Sequence, residues 1–355
     1  MRTNQRTWDV IIIGGGIIGL SLARELRKHN LKVLVVERGE PGREASHAAA
    51  GMLVDNPAET PEALQALATA SAQMYPEFVH ELQDESGINP DLRDFGTILL
   101  SSKHKLDKHA LTNCPPASLN ELEPTLAADI GPAIYLRERS VDPRALTAAA
   151  LKAVRHREVD ISSRTSATEV LLSGGRVTGV HTEKTTYNAP IVVNCAGAWA
   201  GQIPPRFLTR PVKGQMLSIV GGPTLRHVIR GEVYLVPRSD GRILIGASVE
   251  ETGYDKRIDV DTIKHMHQSA IGMVPALAPG RILESWAGLR PGTPDNLPIL
   301  GTTETLGYFV ATGHFRDGIL LAPITAHVMT QLIIGAKPDY DLSAFSPNRF
   351  LEASA

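Results

Sequence analysis

Gly14, Gly16 and Gly19 follow the apolar run Val10–Ile13 at the G-x-G-x-x-G spacing. The first allows a tight turn, the second lets backbone approach a pyrophosphate, and the third lets the next helix pack closely on the strand. Glu37 comes eighteen residues after Gly19, at the end of a second apolar run. A carboxylate there accepts hydrogen bonds from a ribose diol. Strand, glycines, helix, strand and acid fall in register, so the spacing predicts a dinucleotide site rather than a glycine-rich turn of some other α/β protein. It does not separate NAD from FAD. Far along the chain, Arg290 in GLRPGTPD offers a guanidinium fork, which grips a carboxylate through two parallel bonds and keeps its charge when partly buried. The same arginine would serve as a partner for loop carbonyls or for an acid such as Asp295, and the residue types leave both readings open. Tyr234 in YLVPR carries a hydroxyl that suits either a ligand carboxylate or plain packing in a strand.

The elements that must hold these groups are legible from periodicity. Val10–Ile13 is a continuous apolar run of the kind buried on both faces of a parallel sheet. A helix is expected from about Ile17 to His29, with Ile18, Leu22 and Leu26 on one stripe and Arg24, Glu25, Arg27 and Lys28 largely off it. Its first amides would face phosphates, where the helix dipole favours negative charge. Lys32–Val36 reads as the second strand. Later come a helical stretch near Pro61–Gly87, a strand in DFGTILLSS, an Ala-rich helix behind a proline-marked start at Asp142-Pro143, and a buried strand Ile191–Asn194. Residues 206–250 alternate apolar and polar, which suggests an antiparallel sheet covering one side of a pocket. GYFVATGHF returns to a buried strand, and RDGILLAPITAHVMTQLI has helical spacing. Two interleaved lobes in a mixed α/β fold are expected.

The bulk quantities narrow the function. At 355 residues and 43% hydrophobic, the chain can build one large bilobal unit, and Lys+Arg 36 against Asp+Glu 38 gives no electrostatic reason to expect nucleic acid or an anionic membrane as partner. No apolar run approaches the roughly 20 residues that span a bilayer. Charged Arg2–Asp9 leads into the glycine turn without a secretion-signal pattern, so a cytoplasmic location is expected. Cys114 and Cys195 show no metal-binding spacing; reduced thiols and no metal are expected.

The segment after Glu37, ERGEPGREASHAAAGML, ends in the small residues Ala48–Gly51, which let backbone approach a bulky planar ligand. With VIIIGGGIIG, SHAAAGML, RPVKGQML, YLVPRSDGRILIGAS, WAGLRPGTPDNLPILG and GHFRDGILLAPITA, the sequence resembles, along nearly its whole length, the FAD-dependent amine and amino-acid oxidases of the D-amino-acid oxidase type, and within them the bacterial glycine oxidases. The first motif marks the superfamily, while the last three together are specific. The resemblance implies a Rossmann-like FAD-binding domain, built from residues 1–84, 141–204 and 289–345, interleaved with an antiparallel-sheet substrate domain of residues 85–140 and 205–288, and a C-terminal tail of 346–355.

It also implies roles. Ile17 and Ile18 open the phosphate helix, and Glu37 and Arg38 sit at the ribose. Ser46, Ala50, Gly51 and Met52 approach the pyrophosphate and the isoalloxazine, and the backbone of Val170 meets adenine. The backbone through His314, Phe315, Arg316, Asp317, Gly318, Ile319 and Leu320 runs beside the flavin's pyrimidine edge, where a helix N-terminus would stabilise negative charge on the reduced ring. Arg290 binds the substrate carboxylate, Tyr234 adds its hydroxyl, and Arg316 is a second substrate-contacting arginine. His47 and Ala45 depart from the family motif, where a small residue and a hydroxyl residue are usual. No cysteine lies near LRPGTPD, where related sarcosine oxidases attach their flavin, so noncovalent FAD is expected.

The reaction implied is oxidative deamination of glycine, with sarcosine or small D-amino acids as alternatives. Hydride passes from Cα of a bound amino acid whose amine is neutral to flavin N5, and no side-chain base is required when the hydride leaves directly. O2 restores the flavin, giving hydrogen peroxide, ammonia and glyoxylate, or the imine for thiamine thiazole synthesis. A homo-oligomer and a thiazole synthase as pathway partner come from the resemblance alone. From another class, the chain would be an FAD-binding electron-transfer subunit without an amino-acid pocket.

Overall fold

The computed structural model describes residues 7–100, 119–130 and 133–350; Cys114 lies outside them. The run Val10–Ile13 forms a fully buried strand, as a strand covered on both faces must. It pairs in parallel with Val33–Val36 on one side, Val10 opposite Val33, and with Ile191–Asn194 on the other, Val10 opposite Ile191. Asp160–Ser162 and Tyr308–Thr312 extend this sheet in parallel, and Ile299–Thr302 closes one edge antiparallel. Strands far apart in sequence are thus neighbours in space.

Four helices supply the apolar face over this sheet. The first, Ile17–Lys28, buries Leu22 and Leu26 as the stripe requires, and it packs with Glu62–Ser86, Pro143–His156 and Ala322–Ile333 around one core. Asp142 caps the third, its carboxylate accepting from the amides of Arg144 and Ala145 at 2.8 and 3.2 Å, while Pro143 occupies the first turn. Gly87 ends the long helix in the left-handed region, φ +69°. The opposite face carries the three-stranded sheet of Ala167–Ser173, Arg176–Thr182 and Thr186–Asn188 and a second core around Ile11, Val180 and Tyr308.

A seven-stranded sheet forms the other layer, in the order 281–292, 210–220, 243–246, 234–237, 228–230, 97–100, 133–136. Its odd-numbered positions Leu217 and Ile219 pack with Met266 and Met273 of the helix Val260–Met273. The even positions turn to the other side: Met216 joins Ala50, Val236 and Leu244 in a small core with Tyr234 and Trp286 against it. That side faces the glycine turn. Ala48 packs on Gly288 and Gly51 on Val141 so closely that a Cβ on either glycine would stand within 2.3 Å of its neighbour. Among the described residues no helix is long and apolar enough to cross a membrane.

Candidate active site

A cavity of about 920 Å³ runs between the two large sheets, from the glycine turn at one end to Tyr234 and Arg290 at the other. At the first end, Gly14 adopts φ +112° and stands so near the Cys195 carbonyl that a Cβ would lie 2.3 Å from its oxygen. Only glycine fits there. The Ser46 hydroxyl reaches in from another segment and accepts from the Ile17 amide at 2.9 Å, capping the helix from twenty-nine residues away. The amides of Gly16 and Ile18 meet no acceptor among the described residues and line the cavity. Unpaired N–H groups at a helix N-terminus suit a pyrophosphate.

Glu37 lies at the end of its strand, as the sequence implied. Its two oxygens accept from Gly39 and Gly15 at 2.8 and 2.7 Å, which fixes the carboxylate at the cavity wall and leaves further lone pairs for a diol. Arg38 stacks its guanidinium 3.8 Å from the centre of the Trp199 ring, and both line this end with Ser166, Ala167 and Thr168. Gly19 does not reach the cavity. Its place is under the turn, where a Cβ would meet the Gly14 carbonyl at 2.0 Å, and this contact lets helix and strand pack as closely as they do.

Val170 is not among the cavity-lining residues. It is buried in the core between the sheets, and its amide donates to the Pro204 carbonyl at 3.1 Å, so neither its side chain nor that amide faces the cavity. The wall at this point is made by Ser166–Thr168, two to four residues earlier.

Ala50, Gly51 and Met52 line the middle, with Ala48 and Ala49; no side chain larger than a methyl intervenes before Met52. A planar ring can lie against such a wall. Across from it the chain turns after Tyr308–Thr312. His314, Phe315, Arg316, Asp317, Gly318 and Ile319 all line the cavity, whereas Leu320 is buried and gives its carbonyl to the Ser71 hydroxyl at 2.6 Å. The expected helix N-terminus stands further on. The helix begins at Ala322, and residues 315–321 form turns, whose Gly318 and Ile319 amides find no acceptor among the described residues. These free amides can stabilise negative charge where the helix itself does not reach. Burial pushes His314 down to about 3, so its ring is neutral and bonded to Thr325 at 3.1 Å. Burial pushes the Asp317 carboxyl up to about 6.

The period-2 alternation of the second sheet builds the far end. Arg290 stands opposite Val212, Gly214 opposite Gly288, and Met216 opposite both Trp286 and Gly246; Tyr234 is also opposite Gly246. Gly214 is the seat of Arg290, since a Cβ there would lie 2.3 Å from Nη1. That Nη1 donates to the Ser248 carbonyl at 3.1 Å and to the Lys213 carbonyl at 3.4 Å. Asp295 is not its partner. That acid pairs with Arg349 at 2.8 Å instead. Among the described residues neither Arg290 nor Arg316 reaches a carboxylate within ion-pair distance. Burial, with Arg316 adding to it, pulls Arg290 below its ordinary value, while Tyr234 and Glu250 act the other way. Burial likewise raises the Tyr234 phenol, whose hydroxyl lies within reach of Arg290.

A recessed Arg290 without an ion-paired acid calls for an anionic ligand, and the exposed Arg316 adds a second positive charge at the cavity edge. Sequence reasoning missed Gly214 and Met216, whose i, i+2 spacing in RPVKGQML was the available signal, and Trp199, for which it held none. Val249 and Met52 also line the cavity.

A family model described as DAO, FAD dependent oxidoreductase, matches residues 9–332. The bifunctional protein ThiO/ThiG of Trichormus variabilis is 36% identical over 97% of this chain, and the match takes in 55% of that protein. The chain therefore spans about half the length of these bifunctional relatives. A glycine oxidase of Pseudomonas aeruginosa is 33% identical, over 95% of this chain and 98% of its own. The crystal structure of glycine oxidase from Geobacillus kaustophilus is similar to this one with a TM-score of 0.92 at 30% identity, covering 97% of this chain and 99% of that one.

Proposed function

This chain belongs to the DAO family of FAD-dependent oxidoreductases, and from that membership we propose that it oxidises the amine of glycine. Its cofactor is FAD, and the cavity fits it: free amides at the glycine turn for the pyrophosphate, Glu37 for the ribose, and the wall of small residues for the ring. When bound, FAD supplies a two-electron acceptor for the Cα hydride and a route from there to O2. In this reading residues 1–84, 141–204 and 289–345 form the cofactor domain and 85–140 with 205–288 the substrate domain.

The protein's own part is orientation. Arg290 takes the substrate carboxylate through the guanidinium donors that the Ser248 and Lys213 carbonyls leave free, Tyr234 adds its hydroxyl to the same group, and Arg316 contributes a second positive charge from the facing turn. Holding the carboxylate leaves a small amino acid one direction in which to present its Cα. His314 is neutral and bonded to Thr325, and the reaction needs no side-chain base. Products are hydrogen peroxide, ammonia and glyoxylate, or the imine, which a thiazole-forming partner would consume.

The observation that carries this reading is Arg290 without an acidic partner, facing the cavity that the glycine turn opens. Its test is the visible spectrum of the purified yellow protein before and after anaerobic glycine, beside sarcosine, D-alanine and D-proline. Bleaching by glycine, with peroxide formed in air, is the expected outcome. Faster bleaching by a bulkier amine would move the substrate to the sarcosine or D-amino-acid class. A retained flavin that no amine bleaches would overturn catalysis and favour an electron-transfer subunit.

A further inference from the structure

We propose that Glu250 is a positioning residue for the Arg290 guanidinium and thereby determines how tightly the cavity takes a carboxylate; the inference rests on the amino-acid-oxidase reading above. Arg290 is held by two carbonyls, those of Ser248 and Lys213. Ser248 lies beyond the end of the strand Ile243–Gly246, and only a long bond from its amide to the Gln215 carbonyl, 3.4 Å, continues the ladder there. Glu250 adds the rest. Its backbone exchanges two hydrogen bonds with Lys213, at 2.9 and 3.0 Å, in an isolated antiparallel bridge. Its side chain then ties the segment together. One oxygen accepts from the Gln215 amide group at 2.8 Å and from the Ser248 hydroxyl, and the other pairs with the Lys213 ammonium at 3.2 Å. The Ser248 hydroxyl in turn accepts from the Gln215 backbone amide at 2.9 Å. Both carbonyls that seat Arg290 therefore belong to residues that Glu250 binds directly.

The charge of Glu250 has a second effect. Its field, after that of Tyr234, favours the charged form of Arg290 against burial and the like charge of Arg316. Burial opposes ionisation of Glu250 itself, but Gln215, Ser248 and Lys213 outweigh it and hold the acid below the usual carboxylate range. Glu250 takes none of the Arg290 donors, so it supplies a counter-charge while leaving the fork open. A purely structural role is the competing account, because the buried Lys213 ammonium needs a partner. It predicts lost stability without a specific loss of carboxylate binding.

The holoenzyme and three variants separate these accounts: Glu250→Ala, Glu250→Gln, and Glu251→Ala, which removes a neighbouring exposed acid paired with Arg210. Glycine KM and kcat are measured, together with the dissociation constant for acetate, an inert carboxylate, from its perturbation of the flavin spectrum. Glu250→Ala is expected to raise glycine KM and the acetate constant together by about tenfold or more, the loss of one charge-assisted bond, at unchanged FAD content. Glu250→Gln keeps an acceptor for Ser248 and falls between; Glu251→Ala matches the parent. Acetate binding that is unchanged in Glu250→Ala, that falls only in step with lost FAD, or that falls equally in Glu251→Ala overturns the proposal. Weakened acetate binding beside a parent enzyme that glycine does not bleach would uphold the role of Glu250 and overturn the glycine reading.

Discussion

At the scale of single residues the proposed chemistry turns on Arg290 and its glycine seat. Replacing Arg290 by Ala is expected to remove about 2–5 kcal/mol of substrate binding, seen as a large rise in glycine KM. Arg290→Lys should not restore it, because a point charge cannot make two parallel bonds. An unchanged KM in steady-state assays would take Arg290 out of the site. Gly214→Ala tests the same geometry from beneath. The new methyl would stand 2.3 Å from Nη1, and since the obstructed group is the free end of a side chain, the guanidinium moves and the sheet does not. KM rises while the melting temperature stays close to the parent's; a lowered melting temperature with normal KM would contradict this.

At the scale of elements, three helices are tied by one acid. Glu85, near the end of Glu62–Ser86, pairs with Arg24 of the first helix and, at 2.7 Å, with Arg157 just past Pro143–His156. Burial opposes ionisation of Glu85, but hydrogen bonds and charge from Arg157 and Arg24 outweigh it and hold the carboxyl down at about 2. A folded value below the unfolded one stabilises the protein above the ordinary carboxylate range, and the contribution disappears as pH falls towards about 2. After allowance for solvent screening of a partly exposed group, Glu85→Gln should cost about 2 kcal/mol at neutral pH. It should also flatten the acid limb of the stability curve, which denaturant titrations at pH 7 and pH 3 would check: an equal loss at both would rule out the charge as the cause. The turn at 313–321 belongs to this scale too. Apolar spacing suggested a helix reaching the cavity, but residues 315–321 make turns that bring Gly318 and Ile319 amides to the wall, and helix starts only at Ala322.

Across the whole molecule, the cavity lies between two sheets, so a bound cofactor joins them. FAD held about a thousandfold above its dissociation constant adds about 4 kcal/mol of stability. For a chain of this length that raises the melting temperature by about 5 °C. Stripping the flavin and titrating it back while following thermal unfolding measures the shift, and identical melting curves with and without FAD would show that the cofactor does not bridge the sheets. Acid precipitation should leave the flavin in the supernatant, since no cysteine lies near LRPGTPD; yellow colour in the pellet would refute noncovalent attachment.

Local pattern alone was enough for the first βαβ unit. Val10–Ile13, the three glycines, the helix from Ile17 and Glu37 are consecutive, and their conformations follow from sterics and apolar periodicity within a few residues. The motifs around Arg290, Tyr234 and Arg316 named residues that line the cavity, but not their partners. That Arg290 sits over Gly214 and takes carbonyls rather than Asp295 was decided only by strand register, which pairs segments some eighty residues apart. Val170 shows the same limit from the other side: its β pattern is right, yet which neighbour in that strand faces the cavity depends on how the small sheet packs on the large one. Sequence fixes what a residue can do over a few positions, while long-range packing determines which groups are left without a partner, and those unpartnered groups are where a ligand binds.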